Sequence, residues 1–294
     1  IQCTNNLKQI GLAMHNYLST WTETIPNSGS RLGTGYPNDH SPLARLLPYA
    51  EQANLLNLMN FDLQMGHPAV VDLPPDVRTI ASTVVSMFLC PSDGAAPLTS
   101  ITYVSQPVTY AGTNYGANQS DGTFTSTASP QVHPMNPGNG LFWVSAGTRL
   151  AEIPDGTSNT LAFTESIRGD GTRLANTLPV TDVRKYRSMV SEVYAAAETG
   201  AGQTNWDSRR MTVWLRGSLP EGPVMNGFFT PNSPKPDYVS GSSKLTAARS
   251  FHPGGVNALF CDGSVHFLKD AISLPVYRGL WTRAAGEVLS ADSY

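Results

Sequence analysis

The sequence predicts an α+β fold in which a leading helix lies across an antiparallel sheet. Three observations carry that prediction. An apolar stripe of helical period runs through the first segment. Short β-prone runs alternate with Gly, Asn, Asp and Pro turns from residue 98 to 270. A hairpin signal, "VNALFCDGSVHFL", closes that region. Helices first and strands later is an α+β order. A chain of 294 residues can bury a sizeable core, and it is read as one domain over 1–294. Within it, 1–22 is expected to be the C-terminal half of a leading helix, 98–270 a β-rich head and 271–294 a short helix and tail.

In the leading helix, Cys3, Leu7, Ile10, Met14, Tyr17 and Trp21 are spaced 4, 3, 4, 3, 4. That spacing keeps them on one face. Leu12 and Leu18 widen the stripe, and Asn5, Lys8, Gln9 and Asn16 face away. Pro26, Asn27 and Gly29 stop the helix. The stripe is already running at residue 3, so Ile1 reads as a cut or processed start of a longer helix.

"SPLARLLPYAEQANLLNLMNF" predicts two short helices separated by a proline break. "VRTIASTVVSMFLC" predicts a helix that ends near a strand, and "CPSDG" turns the chain. Strands are expected at "LFWVS", "TLAFTES", "MTVWLR" and "VNALFC", with one surface helix over "RKYRSMVSEVYAAAE". Long polar loops are expected at 117–138 and 230–249. Tyr36, Tyr103, Tyr110, Tyr115, Trp206 and Tyr238 fall at loop positions, either as a contact surface or packed beneath the loops.

In the hairpin, Asp262-Gly263 suits a two-residue turn with positive φ at both positions. Cys261 then faces Ser264, and Ala258 faces Phe267. Val256, Ala258, Phe260, Val265 and Phe267 would share the core face. His252 precedes Pro253, Gly254 and Gly255. An extended chain would hold it about 33 Å from Asp262. Both are therefore read as structural, with His252 folded back on the glycines to bridge backbone of the "DGTSNT" turn.

Bulk composition narrows the function classes. Net charge is −3, and no basic cluster exceeds "RKYR", so a nucleic-acid footprint is absent. Apolar runs fall far short of the ~18 residues that a membrane span needs. Neither G-x-S-x-G nor a phosphate-loop pattern occurs, and there is no H-x-x-x-H or CxxC. No catalysis is expected. Glu152, Asp155 and Glu165 keep a carboxylate pair open, and Asp155, Thr157, Asn159 and Glu165 offer hard oxygens to calcium. The alternative for that segment is a plain Asp-Gly turn. Another is a metal held by His252, His266 and a carboxylate. Three separated cysteines fit either one disulfide plus a buried thiol or three buried thiols.

Several blocks carry a resemblance. They are "QCTNNLKQIGLAMHNY", "LLPYAEQANLLN", "FLCPSD", "IPDGTSNTLAFTES", "LWTRAAGEVLS", and His252 with Asp262-Gly263 in "HPGGVNALFCDGSVHF". With these the chain resembles bacterial prepilin-like and pseudopilin-like proteins marked by a C-terminal His-X9-Asp-Gly motif. The resemblance implies a pilin-like fold with loop insertions and a motif built on His252, Gly254, Gly255, Asp262 and Gly263. It implies a leader and a membrane-spanning helix upstream of this chain. It also implies self-association through the helix face Leu7, Ile10, Met14 and Tyr17. Calcium loops in some secretion pseudopilins favour the 155–165 reading. An envelope or extracellular location is implied, and there a Cys3–Cys90 disulfide would form and leave Cys261 a free buried thiol. The function expected is a structural filament subunit. The alternative is an anchored or secreted module that binds glycan or protein through its long loops.

Overall fold

The computed structural model describes residues 1–29, 37–50, 55, 57–123, 133–144, 146–171, 182–200 and 205–287. Helix α1 spans Gln2–Thr20. Its stripe is buried: Leu7, Ile10 and Met14 are fully covered, with Cys3 and Leu18 beside them. Leu12 does not join the stripe; it points to solvent, as does Trp21. Two consecutive left-handed residues, Thr22 and Glu23, turn the chain immediately after the helix.

The sheet beneath α1 has five strands. They are β3 (Tyr115–Ser120), β6 (Leu161–Glu165), β9 (Val224–Asn226), β12 (Gly255–Phe260) and β13 (Val265–Lys269), in the order β13-β12-β6-β3-β9. All neighbours are antiparallel except β3 and β9. The architecture is therefore α+β with a leading helix on a mixed sheet. Alternate side chains leave a strand on opposite faces. Leu259 joins the α1 cluster with Tyr115, Ala117 and Phe163. Val256, Ala258 and Phe260 leave by the other face and meet Tyr277 and Trp281. Those two come from and follow the C-terminal helix α5 (Leu274–Gly279), so the predicted tail is a second covering layer.

A second sheet, β11-β10-β7-β8, holds β7 (Arg187–Met189), β8 (Trp206–Asp207), β10 (Asp237–Ser240) and β11 (Ser243–Leu245). Two-stranded pairs complete the head: β1 (Leu98–Thr102) with β2 (Pro107–Ala111), and β4 (Phe142–Trp143) with β5 (Ala146–Gly147). Of the short helices, α2 (Pro42–Leu46) packs on α1, α3 (Pro75–Ala81) on β2, and α4 (Val193–Thr199) on β10 and β11. Among the described residues, no helix is long and apolar enough to cross a membrane.

Several local expectations need correction. "RKYRSMVSEVYAAAE" is a strand and then a helix, because Arg187 is drawn inside to meet Asp207 and Glu221. "MTVWLR" is buried but not a strand. Its hydrogen bonds go to scattered partners: Trp214 N–H to Ala111, Val213 N–H to Glu221, and Ser41 N–H to the carbonyl of Leu215. The 230–249 segment is ordered as β10 and β11, and 117–123 continues from β3. Residues 51–54 and 56 of the second predicted helix of "SPLARLLPYAEQANLLNLMNF" lie outside the described residues, as do Tyr36 and residues 288–294, and the chain at 57–60 is turn and irregular backbone rather than helix.

The hairpin register is also shifted by one. Ala258 opposes His266, and Asn257 opposes Phe267. The loop is Cys261–Asp262–Gly263, closed by Gly263 N–H to the Phe260 carbonyl at 3.0 Å. Only Gly263 has positive φ, at 87°. This is a type I turn followed by a left-handed glycine, the usual three-residue hairpin loop. The shift sends Leu268 inward and leaves Phe267 exposed.

Candidate functional site

Four segments converge at the end of β6. Glu165 is its last residue, and its carboxylate is buried. Asn257, in the neighbouring β12, grips that carboxylate twice. Its N–H donates to Oε2 at 2.7 Å and its Nδ2 to Oε1 at 2.9 Å. The "SFHPGG" loop bends at Gly254 (φ 82°), and Ser250 Oγ bonds both the His252 N–H and the Gly255 carbonyl. The loop thereby delivers His252 Nε2 to 3.1 Å from Glu165 Oε1. The third contributor is Cys90, whose Sγ lies 3.7 Å from the same Nε2. Asn114 fixes the Cys90 backbone by accepting its N–H at 3.0 Å. The same amide donates to Asp93 and to the Ser166 carbonyl. The fourth is Cys3 on α1, joined to Cys90 by a disulfide. Cys261 is buried as a free thiol, and burial raises its pKa well above the ordinary thiol value.

Burial also raises the pKa of Glu165; the Asn257 and His252 hydrogen bonds pull against that shift. The cluster is thus a buried carboxyl group held between an imidazole, an amide and a disulfide. It is not a nucleophilic relay. A relay needs thiolate and carboxylate on opposite ring nitrogens, and here both face Nε2. Beside it lies a cavity of about 10 Å³, lined by Cys90, Asp93, Asn114 and Glu165 among others. That is room for about one water molecule.

Other expected site residues fall elsewhere. Asp262 does belong to the turn: its Oδ1 accepts from Ser264 N–H at 2.9 Å. The hairpin is pinned to the "DGTSNT" turn, but not by His252. Asp262 N–H donates to the Thr157 carbonyl and Cys261 N–H to that of Thr160. His252 instead meets Glu165, because the Gly254 bend carries it to the strand end. His266 lies on β13 opposite Ala258, with its Nε2 3.0 Å from Ser264 Oγ, and is not part of the His252 cluster.

The candidate calcium set is not brought together. Asp155 uses both carboxylate oxygens on the N–H groups of Ala285 and Gly286, and Asn159 donates to the Asp155 carbonyl. Glu165 sits at the far end of β6, about 13 Å along the strand from Leu161. The expected assembly face is corrected in three of its four residues. Leu7, Ile10 and Met14 are inside this chain's own core, Tyr17 is half-buried, and the large apolar residues exposed on or just beyond the helix are Leu12 and Trp21. Tyr103, Tyr110, Tyr115, Trp206 and Tyr238 are all buried and form no surface.

Residues 1–274 match a family model described as "Protein of unknown function (DUF1559)". The chain belongs to this family. Comparisons with curated proteins and with solved structures give no match. In this DUF1559 member, Cys3, Cys90, Glu165 and His252 lie in four separate distinctive blocks, "QCTNNLKQIGLAMHNY", "FLCPSD", "IPDGTSNTLAFTES" and "HPGGVNALFCDGSVHF". Each of these residues reads as structural on its own, and only the fold makes them neighbours. The joint presence of Cys, Glu and His in separate distinctive blocks was the signal that could have found the cluster.

Proposed function

We propose that this protein is a structural subunit of a pilus-like or pseudopilus-like filament, or an envelope-anchored relative of one. One observation carries the reading. The leading helix α1 lies on the antiparallel β13-β12 part of the sheet, is tied to the head by a disulfide, and turns Leu12 outward. A covalent tie between helix and head suits a subunit held by its helix. A disulfide also suits an oxidising envelope or extracellular setting. Electron microscopy and native mass of material from its own source test the proposal. Assembled forms support it; a monomer with no assembled form counts against it.

A second reading, a glycan- or protein-binding module, is favoured by a groove at the C-terminal end of α1. Tyr17, Trp21, Tyr49, Phe61 and Arg45 line a concavity of about 600 Å³. Tyr17 stacks with Trp21 at 5.8 Å, and Trp21 Nε1 donates to the Tyr49 hydroxyl at 2.9 Å. Rigid aromatic faces of this kind suit a sugar or peptide ligand. Quenching of Trp21 fluorescence by glycans, lost in Trp21→Ala, would move the assignment to this reading.

A further inference from the structure

We propose that Cys3, Cys90, His252 and Glu165 form a redox-dependent zinc site, closed while the cysteines are joined and opened when they are reduced. One ligand atom from each of the four residues lies within 4.8 Å of every other. Tetrahedral zinc with ordinary bond lengths has S···N edges of about 3.6 Å, N···O edges of about 3.4 Å and S···S edges of about 3.8 Å. The Cys90 Sγ–His252 Nε2 distance is 3.7 Å and the His252 Nε2–Glu165 Oε1 distance is 3.1 Å. Two of the edges are therefore in place before any metal arrives. The feature that rules out a relay favours a metal: sulfur and carboxylate converge on one ring nitrogen.

The surroundings match what a metal centre requires. Ligating carboxylates are themselves held by hydrogen bonds, and Asn257 supplies two to Glu165. Asn114 holds the Cys90 backbone through Oδ1. Access is from the His252 side, whose side chain is 22% exposed. Cys90 and Glu165 also border the water-sized cavity.

Opening needs a two-electron reductant, and a dithiol serves. The dithiol's thiolate attacks one sulfur and the Cys3–Cys90 bond breaks. A mixed disulfide forms, and the second thiol displaces it. The dithiol leaves as its own disulfide, with Cys3 and Cys90 as thiols. Zinc then binds both sulfurs and releases two protons, while His252 binds as neutral imidazole and Glu165 as carboxylate. The sulfurs move apart to about 3.8 Å, a shift that α1 and the "CPSD" turn have to share.

Cobalt makes the test optical. Chelator-treated protein is titrated anaerobically with Co²⁺, either oxidised or reduced by a water-soluble phosphine that brings no thiol ligand. The expected result is stoichiometric cobalt in the reduced protein only. It should show thiolate-to-cobalt charge transfer and tetrahedral d–d bands, both displaced by Zn²⁺. Glu165→Gln and His252→Gln should weaken binding more than about 10-fold, and Asn257→Ala about 10–100-fold. Circular dichroism of each oxidised variant checks that it has folded. Reduction is run with and without cobalt present. Loss of fold in both, with no uptake, overturns the proposal. So does a folded, reduced protein that takes up no cobalt, equal uptake by the oxidised protein, or thiolate bands unchanged in His252→Gln.

Discussion

The two sheets of this protein are buried by different means. Under α1, Leu7, Ile10, Met14, Phe163 and Leu259 make an apolar layer of interchangeable contacts. At the second sheet Tyr238 and Leu245 pack an apolar patch against α4, but around β7, β8 and the start of β10 the buried groups are ionic. Arg187 meets Asp207 at 2.8 Å and Glu221 at 2.9 Å. Asp237 bridges Arg210 at 2.6 Å and Arg249 at 3.1 Å. Lys244 is buried beside them with Nζ donating to the Gly222 carbonyl at 3.0 Å, and burial lowers its pKa to about 7. An apolar layer loses stability in steps as side chains are trimmed. An ionic one fails when a single partner leaves, because the other charge stays buried and unpaired.

That contrast can be broken by experiment. Asp237→Ala strands two buried arginines and should cost about 3–5 kcal/mol in urea unfolding. Ile10→Ala in the apolar layer should cost about 2–5 kcal/mol, because it leaves a cavity but no charge. If Asp237→Ala costs less than about 1 kcal/mol, as loss of an exposed ion pair would, the ionic layer is hydrated and the contrast fails.

A pH effect sharpens the comparison, because it tests a buried base outside both layers. His40 is 1% exposed, and its pKa is lowered to about 4, first by burial and then by the charge of Arg45. The unfolded value is about 6.5. Between the two the unfolded chain holds more protons, so stability rises with pH across that window. It is complete above the unfolded value and is lost as pH falls toward the folded one. The full effect is roughly 3 kcal/mol. Melting temperatures from pH 4 to 7 should show this limb, and His40→Gln should flatten it. The smallest effect expected is at the hairpin. Gly263→Val forces a β-branched side chain to positive φ, at a cost of about 1–3 kcal/mol in a thermal melt. An unchanged melt would show that the turn relaxes freely.

What was legible in the sequence follows the same division. The stripe from Cys3 to Leu18 repeats with the period of a helix, so a local window reveals it. The Asp262-Gly263 turn is equally local, although its register needed the strands themselves. Buried ion pairs, in that layer and elsewhere, have no period. Arg216 pairs with Asp39 from 177 residues away, and Arg168 sits on Asp93 from 75 away. Nothing near either residue announces its partner. "MTVWLR" misled for a related reason: it is apolar and extended, but its backbone bonds go to separate segments rather than to one neighbour. The site cluster shares this character, since β6, β12, α1 and the turn after residue 88 meet only in space.

The Cys3–Cys90 bond also sets how the molecule carries tension. The two residues are 87 apart in the chain. A pull applied at α1 passes through the sulfur bridge directly to the head, and the segment between them lies outside the load path. In a single-molecule extension between the two ends, the oxidised protein should stretch about 300 Å less than the reduced one. The bridge acts as a tether that keeps α2 and α3 unloaded while force reaches the sheet through the "CPSD" turn.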